Sequence, residues 1–289
     1  MDQKERSERS ERSNGREELQ LLERIRSRDA RAMDLLLTQL QPSVYRFGLK
    51  MCRNDADAED ILQETLLAVS RGVDGFRGDS SLLTWAFTIA RSFCIKKRRK
   101  SKFAPKQLES LHDSSNQNIQ QIALAVDDHE APDEKLALRQ LERVLDSTLA
   151  DLDVKYREVF VLRDIEGLSA DEVSRVLGIT VQAVKSRLHR ARDMVRLRMN
   201  PLLPESLLAE TNLVPCLDIV KRYSQFLEGE ITGTLCDSMQ KHVQECPGCR
   251  NACDSLKHVL AVCKDSAQRH NSVPVLVQER VKKALSGLK

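Results

Sequence analysis

Residues 167–192 read GLSADEVSRVLGITVQAVKSRLHRAR, and the spacing within this stretch decides the architecture. Ser169, followed three residues later by Glu172, is a capping box that opens a helix with Val173, Val176 and Leu177 on its buried side. Gly178 supplies a turn. Thr180 then caps a second helix whose apolar seam is Val181, Val184, Leu188, Ala191 and Val195. Gln182, Ser186, His189 and Arg190 stand opposite that seam, with Lys185 and Arg187 on its flanks. This is a helix-turn-helix. In such a motif the N-terminal half of the second helix enters the major groove, where Gln or Arg pairs with base edges while Lys, Ser and further Arg fix the phosphates. Gln182, Lys185, Ser186 and Arg190 are the expected base-reading residues, and Arg187 completes the DNA-binding set. His189 is expected at the surface or facing a phosphate.

Working outward, the composition agrees with helices. Aromatic residues make up 4% of the 289 residues and charged residues 31%, which favours helices packed on aliphatic seams over a sandwich or barrel. The fold class is all-α, and the length suits two or three small domains, each with a modest core. A net charge of +3 does not by itself mark a nucleic-acid binder, so the placement of the basic residues must decide. No apolar run is long enough to span a bilayer, and MDQKERSERSERSNGR at the start lacks the apolar core of a signal peptide. A cytoplasmic protein with no membrane partner is expected. There, clustered members of the eight cysteines read as metal ligands or redox sensors instead of a disulfide framework.

The chain divides into an arm at 1–16 with three ERS triplets, a first helical domain at 17–104 and an acidic linker at 105–135. The helix-turn-helix domain follows at 136–200, closed by Pro201 and Pro204, then a linker at 201–213. A small helical metal-binding domain spans 214–265 and a tail 266–289, where Val273 to Leu288 has the pattern of a short amphipathic helix. In the first domain, DAEDILQETLLAVS at 57–70 turns Ile61, Leu62, Thr65, Leu66 and Val69 inward and Asp60, Gln63, Glu64 and Leu67 outward. The helix within FRGDSSLLTWAFTIARSFCIKKRRKSK, 76–102, buries Leu82, Leu83, Ala86, Ile89, Ala90, Phe93 and Cys94 and exposes Thr84, Thr88 and Arg91. It ends in Lys96, Lys97, Arg98, Arg99, Lys100 and Lys102, more cations than a helix dipole calls for and enough for a phosphate clamp.

These segments, in this order, resemble the extracytoplasmic-function sigma factors of bacterial RNA polymerase over about residues 18–198. The resemblance implies that Asp60, Gln63 and Glu64 dock on core RNA polymerase and that the loop near Phe76 to Ser81 captures an unpaired base of the minus-ten element. It further implies that the helix carrying Arg91, Lys97, Arg98 and Arg99 holds the melted strand. The second domain would read promoter DNA at the minus-thirty-five element, and the acidic linker would follow the RNA exit path. Ser92 and Lys96 depart from the Asn and Asp common in the family, and Ser174 replaces a usual Ala.

In KHVQECPGCR, His242 and Cys246 lie four apart on one helix face and Cys246 and Cys249 form a CxxC knuckle. Zinc prefers four such ligands in a tetrahedron. Cys216 is the expected fourth, with Cys236 and Cys253 as rivals. This segment resembles the zinc-binding anti-sigma domain, with Phe226 to Ile231 as its characteristic turn and Tyr223 and Phe226 as packing residues. A closed four-ligand site with no neighbouring general base argues against a zinc hydrolase, and no nucleotide loop or catalytic triad is present, so no enzyme is expected. The resemblance suggests a tail that restrains the sigma domains until a metal or oxidant signal arrives, its partner being this chain's own domains or a separate anti-sigma factor. Two other readings remain: a helix-turn-helix regulator independent of polymerase, and a metal or redox sensor.

Overall fold

Several helices begin where a side chain replaces the missing intrahelical acceptor for the first N–H groups. Asp29 accepts from the Arg31 N–H at 2.9 Å to open α2 (Ala30–Met51), and Asn54 accepts from the Asp57 N–H at 2.7 Å to open α3 (Asp55–Gly72). In this computed structural model, which describes residues 16–52, 54–103, 132–200, 215–231, 233–269 and 271–286, all regular elements are helical. Residues 1–15 of the arm, 105–131 of the acidic linker and the linker 201–213 lie outside the described residues, as do the side chains of Lys100 and Lys102.

The first domain comprises α1 (16–26), α2, α3 and α4 (Leu82–Phe103). Helices α2 and α3 cross closely because Gly48 has no side chain: a Cβ there would meet the Ala58 backbone at 3.2 Å. Phe47 and Phe87, both fully buried with ring centroids 5.4 Å apart, join α2 to α4. The inward set Ile61, Leu62, Thr65, Leu66 and Val69 is buried as its spacing requires.

The second domain starts with α5 (Pro132–Asp151), whose first-turn proline needs no N–H partner. It continues through α6 (Val154–Phe160), which runs into a π turn at Val161–Ile165, to α7 (Ala170–Leu177) and α8 (Val181–Met199). The Ser169–Glu172 capping box is formed, Gly178 takes a left-handed φ of 65° that a side chain would resist, and Thr180 accepts from the Ala183 N–H. The cysteine-rich domain holds α9 (Ile219–Leu227), α10 (Thr234–Glu245) and α11 (Pro247–Arg269), and α12 (Val275–Ser286) closes the chain.

Composition suggested several separate cores, but the described residues form two. One runs unbroken from Leu21 and Phe47 through Leu162 and Leu188 to Val259, Cys263, Val277 and Val281, so both leading domains and the last two helices share it. The other, smaller cluster centres on Tyr223, Met239, Cys249 and Leu256. The reason lies in α11: Cys249, Ala252, Cys253 and Leu256 in its first half belong to the small cluster, whereas Val259, Val262 and Cys263 further along enter the large one. The expected boundary at residue 265 therefore falls inside a continuous helix.

Leu188 is fully buried at the centre of the shared core. Leu188→Ala should cost roughly 2–5 kcal/mol and shift one common urea transition, read by far-ultraviolet circular dichroism and by Trp85 fluorescence. Divergent shifts for the two probes would show that the domains fold independently.

Candidate nucleic-acid interface and metal centre

Helix α8 presents Gln182, Ser186 and Arg190 at its exposed face, as the helical period demands. Lys185 and Arg187 on the flanks are half-buried, and His189 is buried, contrary to the surface position expected for it. The cause is α9 and the turn after it. His189 Nδ1 shares a 2.8 Å hydrogen bond with Ser224 Oγ, and its Nε2 lies 3.7 Å from Glu230. Lys185 reaches Glu230 at 3.1 Å, and Arg163 donates to Glu228 at 3.0 Å. Arg192 donates to Asp164 at 2.6 Å and 2.9 Å, to Glu228 at 2.8 Å and to Ser224 Oγ at 2.9 Å. With Arg192 and Glu228 side chains only 4% and 3% exposed, this bridge is removed from water and satisfied on several sides. Burial pushes the His189 imidazole below its ordinary value, and the nearby Arg192 charge adds to the fall, while Glu230 and Glu228 oppose it.

Between the outer face of α8 and residues 215–221 lies a cleft of about 660 Å³ that Gln182, Ser186 and Arg190 line from one side and Cys216 from the other. A major groove about 12 Å wide accepts one helix. Helix α9 packs beside α8 on this side.

Most of the cations expected on α4 to hold the strand are ion-paired and partly exposed. Arg91 and Arg98 both pair with Glu158 of α6, at 3.2 Å and 3.3 Å, and Lys97 pairs with Asp57 and Asp60; Arg99 is exposed. Thr84, expected at the surface, is 1% exposed because α7 packs there: Glu172 accepts from Thr84 Oγ1 at 3.0 Å and from Ser81 Oγ at 3.2 Å. The same Glu172 completes the capping box, so one carboxylate both starts α7 and fastens it to α4. Arg175 adds a 2.8 Å bond to the Asp79 carbonyl. Deeper in, Arg46 grips Glu166 with two 2.7 Å bonds and the Ala267 carbonyl with one of 2.9 Å, and Lys50 meets Asp146. On α3, Glu64 and Asp60 are exposed and Gln63 half-buried; α12 packs against that helix and Arg280 pairs with Glu59 at 2.6 Å.

Sequence reasoning missed Glu158, Glu172 as a latch, Ser224, Glu228 and Glu230. Carboxylates on helical surfaces carry no signal until their partners are known. Only the turn at Phe226 to Ile231 drew attention, and that as the characteristic turn of the domain it resembles, with no role for its carboxylates.

Cys216, His242, Cys246 and Cys249 are brought together, their ligand atoms all within 4.8 Å of one another. Cys249 is the hub: its sulfur accepts from the Cys216 N–H at 3.3 Å and lies 3.2 Å from His242 Nε2. The N–H groups at the start of α11, that of Cys249 foremost, hold the Cys246 thiol below its ordinary value. Three thiols and an imidazole at this spacing fit a soft divalent metal in a closed tetrahedron. Cys253 lies buried in the small core, and neither it nor Cys236 belongs to this group. Cys263 is fully buried in the large core, Cys94 is buried, and Cys52 is half-buried.

Three family models match. Residues 36–103 match sigma-70 region 2, residues 142–195 match sigma-70 region 4, and residues 216–250 match the family described as "Putative zinc-finger". Among curated proteins, the RNA polymerase sigma-H factor of Pseudomonas aeruginosa is 28% identical over 191 residues, 65% of this chain and 96% of that protein. The ECF RNA polymerase sigma-E factor of Haemophilus influenzae is 27% identical over 188 residues, 63% of this chain and 95% of that protein. Among solved structures, that of CnrH in complex with the cytosolic domain of CnrY aligns over 64% of this chain and 97% of that chain at 25% identity, with a TM-score of 0.47.

The chain purified with zinc should carry one equivalent of metal. His242→Ala and Cys249→Ser should each weaken binding by at least tenfold in a chelator competition, whereas Cys236→Ser should leave it unchanged. Equal losses for Cys236→Ser would reassign the ligands.

Proposed function

This chain is a homologue of the extracytoplasmic-function sigma factors, with sigma-70 regions 2 and 4 and a zinc-finger-type domain after them, and from that premise we propose how the parts work together. It is a non-catalytic subunit that directs core RNA polymerase to specific promoters, and its own C-terminal domain holds it closed. Asp60, Gln63 and Glu64 dock on the polymerase. Arg91, Lys97, Arg98 and Arg99 grip the opened strand, and Gln182, Lys185, Ser186, Arg187 and Arg190 meet the upstream duplex. Cys216, His242, Cys246 and Cys249 hold zinc, which keeps the cysteines as thiolates and ties residue 216 to α10 and α11.

The observation that carries the regulatory part is the placement of Glu228 and Glu230 on the basic side of α8, where they meet Arg163, Arg192 and Lys185. Carboxylates there occupy cations that phosphates would otherwise attract. Helix α12 lies on α3 beside the polymerase-docking residues, with Arg280 on Glu59. Helix α11 joins the two contacts: it begins at the zinc ligands and extends to Arg269, which pairs with Glu142 of α5. Loss of zinc frees the start of that strut, so a metal or oxidant signal opens the chain.

Run-off transcription with purified core polymerase tests this. The full chain with Glu228→Gln and Glu230→Gln together should give about tenfold more transcript than the unaltered zinc-loaded chain, corresponding to ~1.4 kcal/mol withdrawn from the closed state. Chelator should raise the unaltered chain toward the same level. Equal transcript in all arms would remove the regulatory reading, and no transcript in any arm would remove the sigma reading.

Acid should also loosen the contact. A histidine depressed by burial is neutral in the closed form, so the closed form is fully favoured above the ordinary value of 6.5 and loses ground as pH falls through the lowered one. Binding of a promoter duplex by the full chain should therefore strengthen on going from pH 7.5 to 5.5, and His189→Gln should flatten that rise. An unchanged profile in His189→Gln would assign the pH dependence elsewhere.

A further inference from the structure

Helix α1 reaches both ends of the loop at Phe76 to Ser81 that leads into α4. Its buried Leu21, Leu22 and Ile25 seat it on the core of the first domain. At one end of the loop the Arg26 guanidinium donates to the Phe76 carbonyl at 2.9 Å. At the other, the half-buried Glu18 carboxylate accepts from the Leu82 N–H, the first of α4. That N–H has no acceptor within its own helix, and Glu18 supplies one. The two residues stand eight positions apart on α1, roughly 12 Å along a helix axis, so one rigid element sets the spacing of the loop's ends. Between them the loop turns at Gly78, whose φ is 81°, Phe76 packs on Trp85 with ring centroids 5.2 Å apart, and Ser81 caps the Thr84 N–H at 3.1 Å.

A second set of bonds comes from region 4. Arg175 donates to the Asp79 carbonyl at 2.8 Å, and Glu172 accepts from Ser81 Oγ and Thr84 Oγ1. An opened strand on α4 requires region 4 to withdraw, because Glu158 of the same domain engages Arg91 and Arg98. The bonds from Glu172 and Arg175 then go with it. Those from Glu18 and Arg26 stay, since α1 belongs to the same domain as the loop.

We propose that Glu18 and Arg26 are positioning residues for promoter recognition, holding the loop at Phe76 to Ser81 in the shape that receives an unpaired base of the minus-ten element. The inference rests on the reading of this chain as a sigma factor whose loop captures that base. Both residues act through backbone, Arg26 on the Phe76 carbonyl and Glu18 on the first N–H of α4. Without them the loop's ends shift, and a reading group displaced by about 1 Å loses most of its discrimination.

The test uses holoenzyme assembled from core polymerase and the full chain, offered a fixed-length pool of random single-stranded DNA whose retained members are sequenced. The unaltered chain should enrich one base about tenfold at one position, the discrimination that a single well-read base supplies. Glu18→Ala combined with Arg26→Ala should reduce this to about twofold or less. Glu18→Gln, which keeps an acceptor, and Arg26→Lys, which keeps a donor, should each retain most of the preference, and Arg175→Ala should retain all of it. Total retained DNA and thermal melting are read on the same preparations, because a residue that only stabilises the fold lowers retention of every sequence alike. The inference is overturned if the preference survives in the double variant, if Arg175→Ala loses it as fully, or if the double variant loses retention uniformly together with its melting temperature. Absence of any enriched base with the unaltered chain would instead sink the reading of the loop as a base-capturing element, and the inference with it.

Discussion

Two carboxylates on one tight turn determine how this molecule can be used. Glu228 and Glu230 flank Gly229, whose φ of 68° lets the chain reverse after α9, and the reversal aims both side chains at the same side of α8. Cations there must be paired once water is excluded, because an isolated buried charge costs several kcal/mol. Arg192 meets that demand with Asp164 from its own domain and Glu228 from the next. The contact therefore spans two domains, and in the proposed function seating of the C-terminal domain would compete with DNA for the same helix.

The same logic of shared partners recurs between regions 2 and 4. Glu158 takes Arg91 and Arg98, Glu166 takes Arg46, and Glu172 takes Ser81 and Thr84 while also capping α7. Each carboxylate occupies a group on α2, on α4 or in the turn before it. A promoter that engaged α4 would have to replace these partners with phosphates. Polymerase would have to share α3 with α12. Closure is thus distributed over three surfaces, and α11 connects them, its first turn among the metal ligands and its last beside α5.

Local chemistry made the elements legible in the sequence. The Ser169–Glu172 box, the Gly178 turn, the Thr180 cap and the inward face of α3 each depend on neighbours within one or two turns, and each stands where its pattern requires; His242 and Cys246 converge, though Cys246 lies in extended backbone just past the helix end and not on its face. His189 and Thr84 went the other way. Their helical positions face outward from their own domains, and only the arrival of α9 and α7 from distant sequence buries them. Phe87 was left out of the expected core of α4 because that helix is apolar on more than one side, a consequence of packing against α2 and α7 together. The shared core was likewise illegible, since Val259, Val277 and Val281 would suit any amphipathic helix.

The central claim is that the C-terminal domain sits on α8 in the free protein and leaves it in the initiating one. Lys185 and Glu230, 3.1 Å apart, are close enough for a zero-length carbodiimide cross-link. Mass spectrometry of the cross-linked full chain should find the Lys185–Glu230 linkage when the zinc-loaded protein is alone and lose it in the complex with core polymerase and promoter DNA. A linkage that persists undiminished in a transcribing complex, or that is missing from the free protein, would contradict the account.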